Sequence, residues 1–517
     1  MTILDRRSAG LLVPLFSIRS GREWGVGEYP DLGAFAGWAR TGGFSLVMTL
    51  PLLEPSPGQD SPYSSCSFFA LDPLYLRLAD VEDVAALGER AQTEEERAAL
   101  VRAQESPQVL HSEVRRLKEA TLRRAFARFE ERTTPARRAE LAGFVEEHGH
   151  WIQDYAVFRT LKALYPESWR AWPEPLRAAR PDAIAEVRRT HAGEIAFRIW
   201  LQWLAFGQLE AAHARPRGHG VSLGGDEPFL VADDSADVWS RQDRYRFDAT
   251  VGAPPDAFSA DGQEWGLPPY RWEKIGEEGY ELFAQRGRHT ARLYDLIRID
   301  HVVGLYRTYH RPIDKSPHFF WPEGEETQRA QGEAVLRAFA SAGTELIAED
   351  LGVIPDFVRT SLRGLGIPGY RVLRWEKEHD RFRDPATWPA LSVATTGTHD
   401  TESSIEWWDA LPEWERQQAR RMPGLDAVPE DRTLHWSREV RAALLDVVYR
   451  APSQLVLLPI QDLLDLRDRI NTPNTVGPDN WSWRIPWTLE AMRDDAIVAG
   501  RMKAARRLAA ETDRLRA

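Results

Sequence analysis

The sequence has 517 residues and carries 66 Lys plus Arg against 78 Asp plus Glu, a net charge of −12 with no long block of one sign. That balance disfavours a polyanionic partner such as nucleic acid, and the single cysteine, Cys66, excludes both an intrachain disulfide and a cysteine-based zinc cage. The length allows two to four average domains or one elaborated α/β barrel, and either can bury a large core.

Arg6 and Arg7 precede a short apolar run, Ala9 to Phe16, which Pro14 interrupts and Arg19 follows without a small-residue cleavage site. The run reads as a strand rather than a signal peptide. No segment approaches the ~18 consecutive apolar residues that a membrane span needs, so a cytoplasmic protein is expected. The same kind of run recurs along the chain: GLLVPL at 10–15, SLVMTLPL at 45–52, GVSLGGD at 220–226, YDLIRID at 294–300, ELIAEDLG at 345–352, YRVLRWE at 370–376, SVATTGTHD at 392–400 and QLVLLPIQD at 454–462. Near-continuous hydrophobicity predicts strands buried on both faces, and the stretches between them are long enough for crossover helices. Eight such units fit a (β/α)₈ barrel, although a doubly wound open sheet would show the same pattern. The polar residues favour the barrel, because Asp226, Asp300, Glu349, Asp400 and Asp462 all fall at the C-terminal ends of their runs, which in a barrel converge on one mouth.

From about 77 to 215 the composition shifts to Ala, Arg, Glu and Leu with apolar residues at helical spacing, as at Val114, Leu117, Phe126 and Phe129, then Trp151, Tyr155, Phe158 and Tyr165. This predicts a helical insertion whose mixed charges form solvated faces. From about 240 to 275 the chain is rich in Gly, Pro, Asp and aromatics, which predicts a long loop of the kind that covers active sites. Twenty tryptophans are present; a single Trp most often packs a core, but its flat face also suits the C–H face of a sugar ring.

Three acidic motifs follow apolar runs directly: RIDH at 298–301, AEDLG at 348–352 and GTHD at 397–400. Each alone reads as a helix cap or ion-pair partner. Together they bring three carboxylates, His301, His399 and Arg298 to one predicted rim. Glycosidic cleavage needs one carboxylic acid to protonate the leaving oxygen and one carboxylate on the opposite face of the sugar. Arg298 stands two residues before Asp300, on the same strand face, and would favour its charged form, while burial among carboxylates would raise the pKa of the acid. A hydrolytic metal site built from His301, His399, Glu349 and Asp350 is the competing reading; neighbouring residues on a strand point apart, which weighs against it.

These motifs resemble those of the α-amylase clan, and within it the amylomaltase or disproportionating-enzyme family of 4-α-glucanotransferases. The segments SPY at 61–63, GDEPFLVADDSADVW at 225–239, PPDAFSADGQEWG at 254–266, RIDH, AEDLG, GTHD, and PIQD with NTPNTVGPDNWSWR between 459 and 484 are similar to that family's, in the same order and across nearly the whole chain. The resemblance implies a single catalytic (β/α)₈ barrel over 1–517, with the helical insertion at 77–215, a substrate-binding loop region at 226–290, and no separate C-terminal β-sandwich. It implies that Asp300 is the nucleophile, Glu349 the general acid/base and Asp400 a transition-state stabiliser that binds sugar hydroxyls. Arg298, His301 and His399 would hold the donor sugar with Tyr63 stacking on it. Asp256, Phe258, Gln263 and Trp265 would form a lid over the acceptor, and Asp462, Asn480 and Trp481 would lie at another part of the rim. Asp226, Ser235 and Asp237 read as structural.

The implied reaction moves α-1,4-glucan segments between malto-oligosaccharides of maltotriose size or longer and glucose or maltosaccharide acceptors. It needs no metal, nucleotide or flavin, no nucleic acid and no membrane, and a monomer or weak homodimer is expected. A plain α-glucan hydrolase with the same triad, or a catalytically silent glucan-binding protein, are the alternatives. Departures from the family pattern fall at Asp72, Ala257, Leu267, Thr401 and Asn474; none removes a catalytic carboxylate, and those in the lid would offer less stacking surface and admit more water.

Overall fold

The structure is a computed structural model that describes residues 2–217, 220–255, 262–379, 381–473 and 475–516. The eight apolar runs form the eight strands of one closed, all-parallel barrel. In chain order these are β1 (Ser8–Leu12), β2 (Leu46–Met48), β3 (Ser222–Glu227), β4 (Leu296–Ile299), β5 (Glu345–Ala348), β6 (Gly369–Val372), β7 (Ser392–Thr395) and β8 (Leu455–Pro459). Each pairs with its chain-order neighbours, and β1 closes the ring on β8 in the register Ser8↔Leu455 to Leu12↔Pro459. Both of these strands are buried at every residue. One face packs into the barrel interior and the other against the surrounding helices, so unbroken apolar runs marked the strands better than alternation would have.

Helices Tyr29–Thr41, Glu281–Leu293, Glu325–Ala340, Asp356–Gly364, Arg438–Arg450 and Ala496–Glu511 lie among those surrounding the ring. Between β2 and β3 the chain is mainly helical, the longest pieces being His111–Arg132 and Ala192–Arg217. These two meet through Phe126, Phe129, Phe197 and Trp200: Phe126 lies 5.4 Å from Phe197 and 5.5 Å from Trp200, and Phe129 lies 5.9 Å from Trp200, between ring centroids. Buried charge ties this region to the barrel. Lys118 donates to Glu28 at 2.8 Å, Arg77 to the other Glu28 oxygen at 2.9 Å, and Arg115 grips both oxygens of Asp72 at 2.7 Å. Asp72, one of the departures from the family pattern, thereby acquires a charged partner that an amide would bind less strongly.

The 240–275 stretch is not all loop. It contributes strands Ala249–Ala253 and Gln263–Leu267 to a four-stranded antiparallel sheet completed by Thr308–Pro312 and Phe319–Trp321. Composition concealed this because the pairing is tight and glycine-dependent. A Cβ at Gly252 would stand 2.1 Å from the carbonyl oxygen of Gln263, so the residue that reads as a strand breaker is the one the strand pair requires.

Candidate active site

The C-terminal ends of β3, β4, β5 and β7 supply the charged groups of the mouth. Arg298, buried on β4, is their common partner. Its guanidinium donates to both oxygens of Asp226 at 2.7 Å and to Asp300 at 2.8 Å, and lies 3.7 Å from Glu349. The pairing Ile299↔Ala348 puts Asp300 and Glu349 next to each other on adjacent strand ends, where parallel strands stand about 4.8 Å apart. Glu349 leans toward β4 and accepts the backbone N–H of His301 at 2.6 Å. Its neighbour Asp350 points the other way, accepting from Tyr370 N–H at 2.7 Å and pairing with Arg371 and Arg359. Gly369 makes room for it, since a Cβ there would meet the carboxylate at 2.5 Å. Strand alternation thus separates the two carboxylates of the AED motif, and the set His301, His399, Glu349 and Asp350 does not share one point.

Asp400 lies on the loop after β7. Asn471 donates to its side chain at 2.7 Å, Arg469 donates to its carbonyl at 2.9 Å, and the His399 imidazole lies 3.4 Å from the second carboxylate oxygen. His399 stacks on Tyr63 with ring centroids 5.1 Å apart, Trp481 leans on both, and the Tyr63 hydroxyl donates to Asp226 at 2.7 Å. On the opposite side His301 packs against Phe229 and, edge to face, against Trp265 at 4.9 Å. The Trp265 indole N–H donates to Gln263 Oε1 at 3.0 Å. His301 and Trp481 both hold left-handed backbone, with φ of 43° and 60°, a conformation that costs side-chain-bearing residues energy and that tertiary packing must impose.

The electrostatics divide the carboxylates. Burial pushes the Glu349 carboxyl up to about 8; Arg298 opposes the shift and Asp300 adds to it. At neutral pH Glu349 is a protonated acid. Burial would also raise Asp400, but the charge and hydrogen bond of His399, the Asn471 bond and Arg298 outweigh it and hold Asp400 at about 2. Burial disfavours charge on His399 as well, and Asp400 overcomes it, so the imidazole stays above its ordinary pKa. His301 goes the other way, lowered by burial to about 4, and is neutral. One acid is kept protonated and another kept ionised within reach of one arginine, an arrangement suited to donating a proton on one side of a bond while stabilising positive charge on the other.

The sequence matches the 4-alpha-glucanotransferase family over residues 13–490. The chain belongs to that family. Among relatives of this family, the 4-alpha-glucanotransferase of Chlamydia pneumoniae is 31% identical over 499 residues, spanning 93% of this chain and 92% of the relative. That of Thermus thermophilus is 32% identical over 451 residues, spanning 84% and 86%. Two solved structures share the fold: the amylomaltase of Streptococcus agalactiae in complex with acarbose (TM-score 0.83, 23% identity, 99% of this chain and 100% of that one) and the amylomaltase of Corynebacterium glutamicum (TM-score 0.81, 24% identity, 97% and 76%). The chain is thus a glucan-acting transferase on an amylomaltase-like α/β barrel, as its motifs implied. Among the described residues, no helix is long and apolar enough to cross a membrane.

Seen against the family motifs, the fold brings Tyr63, Arg298, His301, Gln263, Trp265, His399 and the three carboxylates to one side of the barrel. Asp256 and Phe258 fall outside the described residues, as do Ala257 and Asn474. Asp462 has a different part. It is buried, with one oxygen accepting from Ser404 N–H at 2.7 Å and the other from the Thr396 hydroxyl, so it fastens the loop that carries Asp400 instead of presenting a carboxylate to sugar. Asp226, read as structural, is the main counter-charge of Arg298. Its position at a run end, the same signal that marked Asp300, had already set it apart. Ser235 and Asp237 are structural: one caps helix Ala236–Ser240 and the other accepts from Phe68 N–H at 3.1 Å. Asn471 was not singled out within its motif because its role appears only when the loop after β8 folds back onto β7.

Proposed function

We propose that the enzyme works by a retaining double displacement in which Asp300 attacks the anomeric carbon while Glu349 protonates the departing glycosidic oxygen, leaving a glycosyl-aspartate ester. Glu349, now ionised, then takes the proton from the 4-hydroxyl of an acceptor glucan, whose oxygen displaces Asp300 and restores the α-1,4 bond. Arg298 holds the Asp300 carboxylate through their 2.8 Å bond, and Asp400 binds hydroxyls of the donor sugar as charge develops on its ring. Tyr63 and His399 form one wall for that ring, and Trp265 with Gln263 the edge nearest the acceptor.

The observation that carries this reading is that the one buried guanidinium of Arg298 lies 2.8 Å from Asp300 and 3.7 Å from Glu349 on adjacent strand ends, where burial pushes the Glu349 carboxyl up to about 8. Preference for a sugar hydroxyl over water rests on holding the acceptor close and keeping solvent out, an effect worth several kcal/mol. The substrates are malto-oligosaccharides of three or more units as donors, with glucose or maltosaccharides as acceptors. The decisive experiment is mass spectrometry of the Glu349→Gln chain incubated with an activated α-maltosyl donor such as the fluoride. A stable maltosyl adduct located on the peptide that contains Asp300 is expected; an unmodified peptide, or an adduct elsewhere, overturns the assignment of the nucleophile.

A further inference from the structure

The segment 52–72, which follows β2 and carries Tyr63, folds back on itself as a hairpin. Leu53 pairs with Leu71 and Pro55 with Ser65, while Glu54 N–H donates to the Ala70 carbonyl and Cys66 N–H to the Glu54 carbonyl, both at 2.8 Å. Tyr63 stands beside the outermost of these bonds, from Ser56 N–H to the Ser64 carbonyl at 2.7 Å. The helical insertion grips both arms. Helix Ile152–Leu164 presents Tyr155, Arg159 and Lys162 at spacings of four and three residues, which places them on one face. The Tyr155 hydroxyl donates to one oxygen of Glu54, Arg159 lies 3.0 Å from the other, and Lys162 pairs at 2.7 Å with Asp234, whose carbonyl accepts from the Ser56 hydroxyl at 2.9 Å. Gln202, on helix Ala192–Arg217, holds the second arm: its amide oxygen accepts from Leu71 N–H at 2.9 Å, and its Nε2 donates to the Leu71 carbonyl at 2.8 Å and to the Tyr155 hydroxyl at 3.0 Å. Glu54, Tyr155 and Gln202 are all buried.

A buried carboxylate–guanidinium pair is a poor source of stability, because lost hydration offsets the attraction and apolar residues of the same volume would serve as well. Its distinctive contribution is direction, since a fully bonded buried network leaves the hairpin few alternative positions. We propose that Glu54, Arg159 and Gln202 are positioning residues for the donor subsite, acting through Tyr63 by holding its ring on His399 and its hydroxyl on Asp226. The insertion thereby has a task in the reaction although none of these three side chains bonds to Asp300, Glu349 or Asp400. The inference rests on the reading of Tyr63 as a wall for the donor ring.

A double-mutant cycle tests it, with kcat/KM for maltotriose disproportionation as the readout and thermal scans of the same chains recording the structural cost separately. Arg159→Met removes the partner of Glu54; Gln202→Leu leaves that ion pair intact and frees the Leu71 arm. Each should lower kcat/KM about tenfold, less than the roughly hundredfold that a misplacement of about 1 Å can cost. In a Tyr63→Ala background the same substitutions should change kcat/KM by less than about twofold, because residues that act through one side chain are not additive once it is gone. Arg159→Lys, which returns a cation to Glu54, should come within about threefold of wild type. Equal losses in both backgrounds, or full activity of Arg159→Met and Gln202→Leu with Tyr63 present, overturn the proposal. Wild-type kcat/KM in Tyr63→Ala alone would instead overturn the wall assigned to Tyr63, and this inference with it.

Discussion

Glu349→Gln should make the protein more stable, and only above a definite pH. The folded chain holds the Glu349 proton up to about 8, against an ordinary carboxyl value of 4.5. Between these two values the unfolded chain has released that proton and the folded chain has not, so stability falls as pH rises through the window and levels off above it. At about 1.36 kcal/mol per tenfold difference in proton affinity, the interval from 4.5 to about 8 sets a ceiling of about 5 kcal/mol at alkaline pH. Gln mimics the protonated acid and can still accept from His301 N–H, so the variant escapes the penalty. A chain of 517 residues has an unfolding entropy of about 1.1 kcal/mol/K by the usual per-residue value, so the ceiling corresponds to a Tm increase of about 4 °C. Paired thermal scans at pH 4.5 and pH 8.5 measure it. The expected outcome is a gain at pH 8.5 that vanishes at pH 4.5. An equal difference at both pH values, or a variant less stable at pH 8.5, would refute the claim that this carboxyl is held protonated by its surroundings.

Other outcomes follow from the same geometry. The kcat/KM of transfer should fall on the alkaline side with a midpoint near 8, because the acid that protonates the leaving oxygen is lost as pH rises through the Glu349 value. His399→Asn should move the acid limb upward from its hidden position near 2, since burial then acts on Asp400 without an imidazolium to oppose it; an unchanged pH profile would contradict that pairing. Tyr63→Phe, which loses the 2.7 Å bond to Asp226 but keeps the stack on His399, should lower kcat/KM about tenfold, the scale of one hydrogen bond to a charged group. Trp265→Ala should raise the glucose released by hydrolysis relative to longer transfer products in a chromatogram of maltotriose digests.

Much of the fold was legible because parallel strands buried on both faces leave unbroken apolar runs, and the five acids at the run ends identified a single mouth. Asp300, Glu349 and Asp400 could be found because each follows its strand directly or within a few residues. What stayed hidden depends on contacts between distant segments. Asn471 matters only because the loop after β8 reaches Asp400, and Asp462 changes role because Thr396 and Ser404 fold over it. The rim sheet was missed because Gly252 signals a break in composition but permits close pairing in space. Nothing in a linear pattern reports the left-handed backbone of His301 or Trp481, since the neighbouring rings impose it.

The pairing of β1 with β8 joins segments from nearly opposite ends of the sequence, and this has a bearing on biogenesis. While the chain is being synthesised, β1 keeps an unsatisfied edge that can recruit other strands until its partner emerges. The last cross-pairing also carries the largest loop-closure cost, so ring closure should be a slow folding step. Arg469, Asn471 and Trp481 all follow β8, so a nascent chain acquires its barrel wall before its catalytic competence, and a ribosome stalled between the two would display a folded but inactive enzyme.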